Sequence, residues 1–185
     1  MHEFVEETFQ PETTGEKILS IQASLNGFSF SIVCPQQKKL LYFKDFSLKI
    51  SNTNLLSRHF ESLFSEATIL QNNFHRIFPI YHSQNFTLVP EQFCHKQIDK
   101  EITPLLFENN DQLSWLHNKI DSLEAELLFA IPASFKEALR KRWPLARTIH
   151  PLELLIGRET NAENQNCLQL LFENDHFSLA LYCNN

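Results

Sequence analysis

Eight histidines and four cysteines are the residues of this 185-residue chain best suited to chemistry, and their spacing removes most of it. His75, His82, His95, His117, His150 and His176 make no i, i+4 pair. Cys34, Cys94, Cys167 and Cys183 make no C-x₂₋₄-C pair, so sequence neighbours assemble no tetrahedral metal shell. Cys94 adjoins His95, but adjacent residues on a helix point in different directions, and the imidazole cannot act as base to that thiol. Scattered surface and turn histidines are the plainer reading. Glu124 and Glu126 would need a defined spatial relation to work as an acid–base pair, and solvated charges at a strand edge account for them.

Glycine sets the sharpest exclusion. The chain holds three, Gly15, Gly27 and Gly157. A P-loop requires two glycines within one short motif and a dinucleotide fingerprint requires three, because only glycine lets the backbone approach phosphate closely. Neither can be built, nor can the G-x-S-x-G elbow of a serine hydrolase. One charged cluster remains. Lys136, Arg140, Lys141, Arg142 and Arg147 gather in and just after one helical stretch, around Trp143, with Lys136 and Arg140 four apart on a shared face. This patch could meet an acidic protein partner or nucleic acid. The 16 basic against 22 acidic residues, a net charge of −6, disfavour nucleic acid.

The elements that would position these residues follow from pattern. Residues 1–16 carry Glu3, Glu6, Glu7, Glu12 and Glu16 without periodicity and predict a loose acidic arm. Leu19, Ile21, Ala23 and Leu25 alternate with polar residues, as do Phe28, Phe30 and Ile32. Asn26-Gly27 between them predicts a hairpin with a type I′ turn centred on that pair. Leu40 to Phe46 predicts a third strand. Asn52 or Thr53 caps a helix to about Glu66, whose apolar residues recur at helical spacing. Strands over 77–81 and 86–89 flank the turn Ser83-Gln84, and Pro90 opens a short helix through Phe93. Residues 111–123 fit either a helix or a strand ending near His117. Leu127 to Ile131 reads as a buried strand, and Ser134-x-x-Glu137 as a capping box for a helix closed by Trp143-Pro144. Leu145 to Ile149 predicts a short strand. Pro151 to Ile156 predicts a helix, with Gly157 as its left-handed cap. Finally, Phe177 to Cys183 repeats the alternation of Phe28 to Cys34, with Leu168, Leu170 and Phe172 upstream and Asn174-Asp175 at the turn. A second hairpin therefore opens where the first mixed unit closes.

Seventeen phenylalanines supply a core, and the length suits one domain or one domain plus part of another. No apolar run approaches the roughly 20 residues of a membrane helix, and the acidic start lacks the features of a signal peptide. Four dispersed cysteines fit a reducing compartment, and the expected location is the cytoplasm.

Several of these segments resemble an uncharacterised bacterial family, mainly from Bacteroidetes. They are Leu19 to Ile21 through Gly27 to Ile32, Phe86 to Glu91, Leu128 to Pro132, and His150-Pro151 with Leu154-Leu155. The likeness runs from about Lys17 to Tyr182 through hydrophobic, structural positions. It implies an α/β chain of the actin-like ATPase architecture, whose members join two ribonuclease H-like units. Residues 17–160 would be the first unit, and 161–185 the opening hairpin of an incomplete second, as in a shortened member or a fragment. Active members of the wider superfamily place an Asp-x-Gly-Ser/Thr turn in the first hairpin, where the carboxylate organises Mg²⁺. Here Leu25 stands at the acid's position. In the second hairpin Asn174 takes that place and His176 replaces the glycine.

Three functions stay open. The first is a non-catalytic interaction or scaffold domain with a degenerate nucleotide site, no cofactor, and a protein partner or self-association. The second is a nucleotide-binding protein or weak ATPase, with the phosphate of ATP held by backbone groups around Asn26, Gly27 and Ser29 and Mg²⁺ bound elsewhere. The third is a nucleic-acid binder acting through Lys136 to Arg147.

Overall fold

The computed structural model describes residues 2–108, 111–157, 167–172 and 177–182. The first alternating segments form β2 (Ile18–Ser24) and β3 (Gly27–Cys34), paired antiparallel, and β4 (Lys39–Ser47) follows on the far side of β3. Their inward residues Leu19, Ile21, Phe28, Phe30 and Ile32 are almost fully removed from water. Chain then leaves the sheet for α1 (Leu56–Glu66) and returns as β5 (Arg76–Tyr81), parallel to β2. A parallel neighbour requires such a crossover.

The N-terminal arm is a correction. Residues Glu3–Val5 form β1, an edge strand antiparallel to β4, completing a five-stranded sheet of order β1-β4-β3-β2-β5. Two of the five acidic residues that predicted a solvated arm instead face cations of β4: Glu6 meets Lys39 at 2.7 Å and Glu3 meets Lys44 at 3.2 Å. A 3₁₀ turn over Pro11–Glu16 buries Thr14. Cross-strand charge pairing of this kind has no local periodicity.

The strands β5 and β6 (Phe86–Pro90) flank a turn as expected but belong to different sheets. β6 pairs with β8 (Ala125–Pro132), which is also flanked by β7 (Leu113–Ile120), in a three-stranded antiparallel sheet. The ambiguous segment is therefore a strand. β8 is buried on both faces, which explains its unbroken apolar run. Between β6 and β7 lies α2 (Ile98–Leu106), which has Pro104 inside it and was not expected.

Helix α3 (Ala133–Arg142) packs with α1 on one face of the large sheet. There Phe60, Phe135 and Trp143 meet edge to face, with centroids 5.4 and 5.8 Å from Phe60. α3 begins one residue before Ser134, and no side chain caps it, so the capping box does not form. Leu145 to Ile149 contributes only a bridge from Ile149 to Ile80. Then α4 (Pro151–Ile156) ends at Gly157, whose φ of −76° is right-handed, so no left-handed cap exists there. A Cβ on Gly157 would instead lie 2.7 Å from the Glu153 carbonyl. The last elements, β9 (Cys167–Phe172) and β10 (Phe177–Tyr182), form a separate antiparallel hairpin.

Candidate functional site

The first hairpin turn is where nucleotide chemistry would have to sit. Ser24 pairs directly with Gly27, which leaves Leu25 and Asn26 as the centre of the turn. Positive φ is confined there to Gly27, at +121°. The expected type I′ turn on Asn26-Gly27 is therefore corrected: the register is one residue earlier, and glycine is needed at the first paired position. The cause is visible in the packing. A Cβ on Gly27 would lie 2.1 Å from the Phe46 carbonyl oxygen and 2.7 Å from the Leu48 nitrogen.

The turn is also saturated by its own chain. Ser24 Oγ accepts from the Asn26 amide at 3.1 Å. The Leu25 and Asn26 carbonyls accept from the Ile50 and Leu48 amides at 2.8 and 3.1 Å. Beside it lies a cleft of about 270 Å³ lined by Gln22, Ser24, Asn26, Gly27, Phe28, Ser29, Asp45 and Ser47, with Phe172 of β9 across it. No lysine or arginine is among these residues. The one charge is Asp45, whose carboxylate accepts from Ser47 Oγ at 2.5 Å. Three observations bear on Mg²⁺–nucleotide here. The glycine serves contact with β4, no cation is present to meet phosphate, and Leu25 offers no metal ligand, which leaves Asp45 as the one charged side chain there able to hold Mg²⁺. Asp45, Ser47 and Phe172 escape sequence reading because they reach the cleft only through strand register and the second hairpin.

On the turn's other side a cleft of about 220 Å³ is bounded by Tyr81, His82, Ser83 and Asn85. Behind it His150 is completely buried. Its Nδ1 accepts the Leu152 amide at 3.2 Å, so the ring proton is on Nε2, which donates to the Ser83 carbonyl at 2.9 Å. Burial pushes its pKa down to about 4, with His82 adding to the shift and the Ser83 bond opposing it. His150 is thus a neutral clasp holding the start of α4 to the turn after β5.

The remaining candidates separate in space. Cys94 donates to the Val89 and Pro90 carbonyls at 3.6 and 3.5 Å. Burial, then the Glu126 carboxylate, raise its pKa, the opposite of what a nucleophile needs. Glu126 lies 3.0 Å from His117. In the basic cluster Arg147 is ion-paired with Glu153, and Arg140 lies 3.9 Å from Glu137. Arg142 stacks 4.3 Å above Phe64, and with Lys141 it borders a cleft of about 400 Å³ between α1 and α3. Lys136 is half-buried on α3. Asn174, Asp175 and His176 lie outside the described residues. Among those described, no helix is long and apolar enough to cross a membrane.

The second hairpin presents two unlike faces. Gln169 and Leu171 line a cleft with Pro151 and Leu155, and Tyr182 Oη reaches the Leu155 and Ile156 carbonyls at 3.0 and 2.8 Å. On the other face Leu168, Leu170, Phe172, Phe177, Leu179 and Leu181 are all exposed, at 44–73%.

No curated protein matches the chain. Among solved structures it is similar to a Bacteroides thetaiotaomicron protein with actin-like ATPase fold and unknown function. That match has a TM-score of 0.78 and 20% identity, covering 95% of this chain and 68% of that one. It is also similar to the cytoplasmic domain of EpsL, an inner membrane component of the type II secretion system of Vibrio cholerae. There the TM-score is 0.51 at 10% identity, over 88% of this chain and 66% of that one. The fold is accordingly the actin-like ATPase fold. Residues 6–185 match the family described as "Protein of unknown function (DUF3822)", and the chain belongs to that family.

Proposed function

We propose that the chain is a non-catalytic interaction or scaffold domain, an actin-like frame whose first hairpin has given up nucleotide binding. One observation carries this reading: the turn is centred on Leu25 and Asn26, where the Leu25 side chain has no metal-ligating atom and both carbonyls are already taken by the Ile50 and Leu48 amides. The neighbouring cleft supports it, since no lysine or arginine lines it to neutralise a triphosphate. In this reading residues 17–160 are a first ribonuclease H-like unit, and the hairpin within 161–185 opens a second. The apolar outer face of that hairpin is the surface offered for protein contact. Cys34, Cys94 and Cys167 are free thiols, which suits a cytoplasmic site of action. The basic residues in and after α3 give less support to nucleic-acid binding, because Arg140 and Arg147 already face carboxylates.

Thermal unfolding with and without Mg²⁺ and millimolar ATP, ADP or GTP tests the proposal. A ligand at a hundredfold over its dissociation constant adds about 2.7 kcal/mol, enough to raise the midpoint by several degrees. The expected shift is none. A reproducible rise with any nucleotide overturns the non-catalytic reading.

A further inference from the structure

From the outer face of the second hairpin we infer that the chain self-associates, with β9 and β10 of one copy stacking on those of another. The inference rests on the interaction-domain reading above and names its partner. In the β9–β10 register Phe172 lies opposite Phe177, Leu170 opposite Leu179 and Leu168 opposite Leu181. All six side chains therefore share one face, while Gln169, Leu171, Ala180 and Tyr182 turn the other way, toward α4. At 44–73% exposure the six make an apolar patch of at least a few hundred Å², the size that marks an interaction site. Phe172 is 73% exposed and Leu181 62%.

Charge narrows the occupant. Neither strand carries an acidic or basic residue over Cys167–Phe172 or Phe177–Tyr182. A chain of net charge −6 repels its own copies except where a neutral surface meets a neutral surface. A face with no charge to match and no donor to satisfy is self-complementary, which is the requirement of a two-fold interface. Sheet-on-sheet stacking of two such hairpins buries both sets of side chains.

Sedimentation velocity of the full chain from about 1 to about 100 μM reads the association directly, since a micromolar Kd lies within that range. The expected result is a monomer–dimer equilibrium and a thermal midpoint that rises with protein concentration. Leu170→Glu with Leu179→Glu, a cross-strand pair, places two carboxylates on the face and should give a monomer at every concentration. Leu105→Glu, on the equally exposed surface of α2, should leave the dimer intact. A parent chain that stays monomeric at the highest concentration, with a concentration-independent midpoint, overturns the inference whether or not the double variant folds. So does a dimer that survives the double substitution. These outcomes are independent of the nucleotide test: a monomer with no nucleotide shift removes the dimer and leaves the non-catalytic reading standing.

Discussion

Gly27 and His150 show how differently single residues declare themselves. Asn-Gly between two alternating segments announces a tight turn, and the turn is there. The reason for glycine is a contact across the sheet with β4, and that contact moved the centre of the turn onto Leu25 and Asn26. His150 showed only its local half, the place before Pro151 from which it accepts the Leu152 amide, because its other partner Ser83 is 67 residues away. Its neutral form satisfies one amide and one carbonyl in the core, and its pKa is depressed to about 4 by burial. A depressed folded-state pKa means that the unfolded chain takes up the proton first. The stabilisation is complete above the unfolded value of about 6.5 and is lost as pH falls toward about 4. Over that window the parent should lose about 3 kcal/mol more than His150→Asn, which has no group titrating there. Urea midpoints at a series of pH values measure the difference. Parallel curves for parent and variant would show that His150 is not a buried neutral clasp.

At the scale of elements, legibility tracks whether the determining contacts are local. The start of the helical stretch was legible in part: Asn52 Oδ1 accepts the Asn54 amide at 2.9 Å and caps the 3₁₀ turn Thr53–Leu55 that leads into α1, while α1 itself starts after Leu55 with no side-chain cap. The capping box at Ser134 was a correct pattern in the wrong place, because Pro132 and the end of β8 start α3 one residue earlier. The two sites make a paired prediction. Asn52→Ala should cost about 1 kcal/mol, the usual value of an N-cap. Ser134→Ala should stay within about 0.5 kcal/mol, as a surface change away from any cap does. Equal losses in chemical denaturation would put the α3 start at Ser134 after all. Other elements were hidden for physical reasons. β1 forms through Glu3 and Lys44, distant in sequence, and Pro104 disguised α2. β7 carries a helical spacing of leucines that its pairing with β8 overrides. The candidate cleft was only half legible: Asn26, Gly27 and Ser29 line it, but Asp45 and Phe172, which decide its character, arrive by tertiary placement.

For the whole molecule, the distribution of packing matters more than any one site. The large sheet, α1 and α3 share one continuous core that includes Phe60, Phe135 and Trp143. The three-stranded sheet has smaller clusters of its own around Leu127 and Leu128. The second hairpin is attached differently. Its inner face rests on α4, with the single Tyr182 hydroxyl proton shared between the Leu155 and Ile156 carbonyls, and its outer face is apolar and exposed. Few buried contacts and an exposed hydrogen-bond ladder are the marks of a unit that opens below the global unfolding free energy. Tyr182→Phe, made in the Leu170→Glu, Leu179→Glu background to remove any second copy, isolates that attachment. Amide hydrogen exchange should accelerate several-fold in β9 and β10 while β2 and β3 keep their protection, since one lost hydrogen bond is worth about 1 kcal/mol. Equal acceleration in β2 and β3 would mean that the hairpin and the first core unfold as one body. An independently opening hairpin is a part that can be held by whatever covers it.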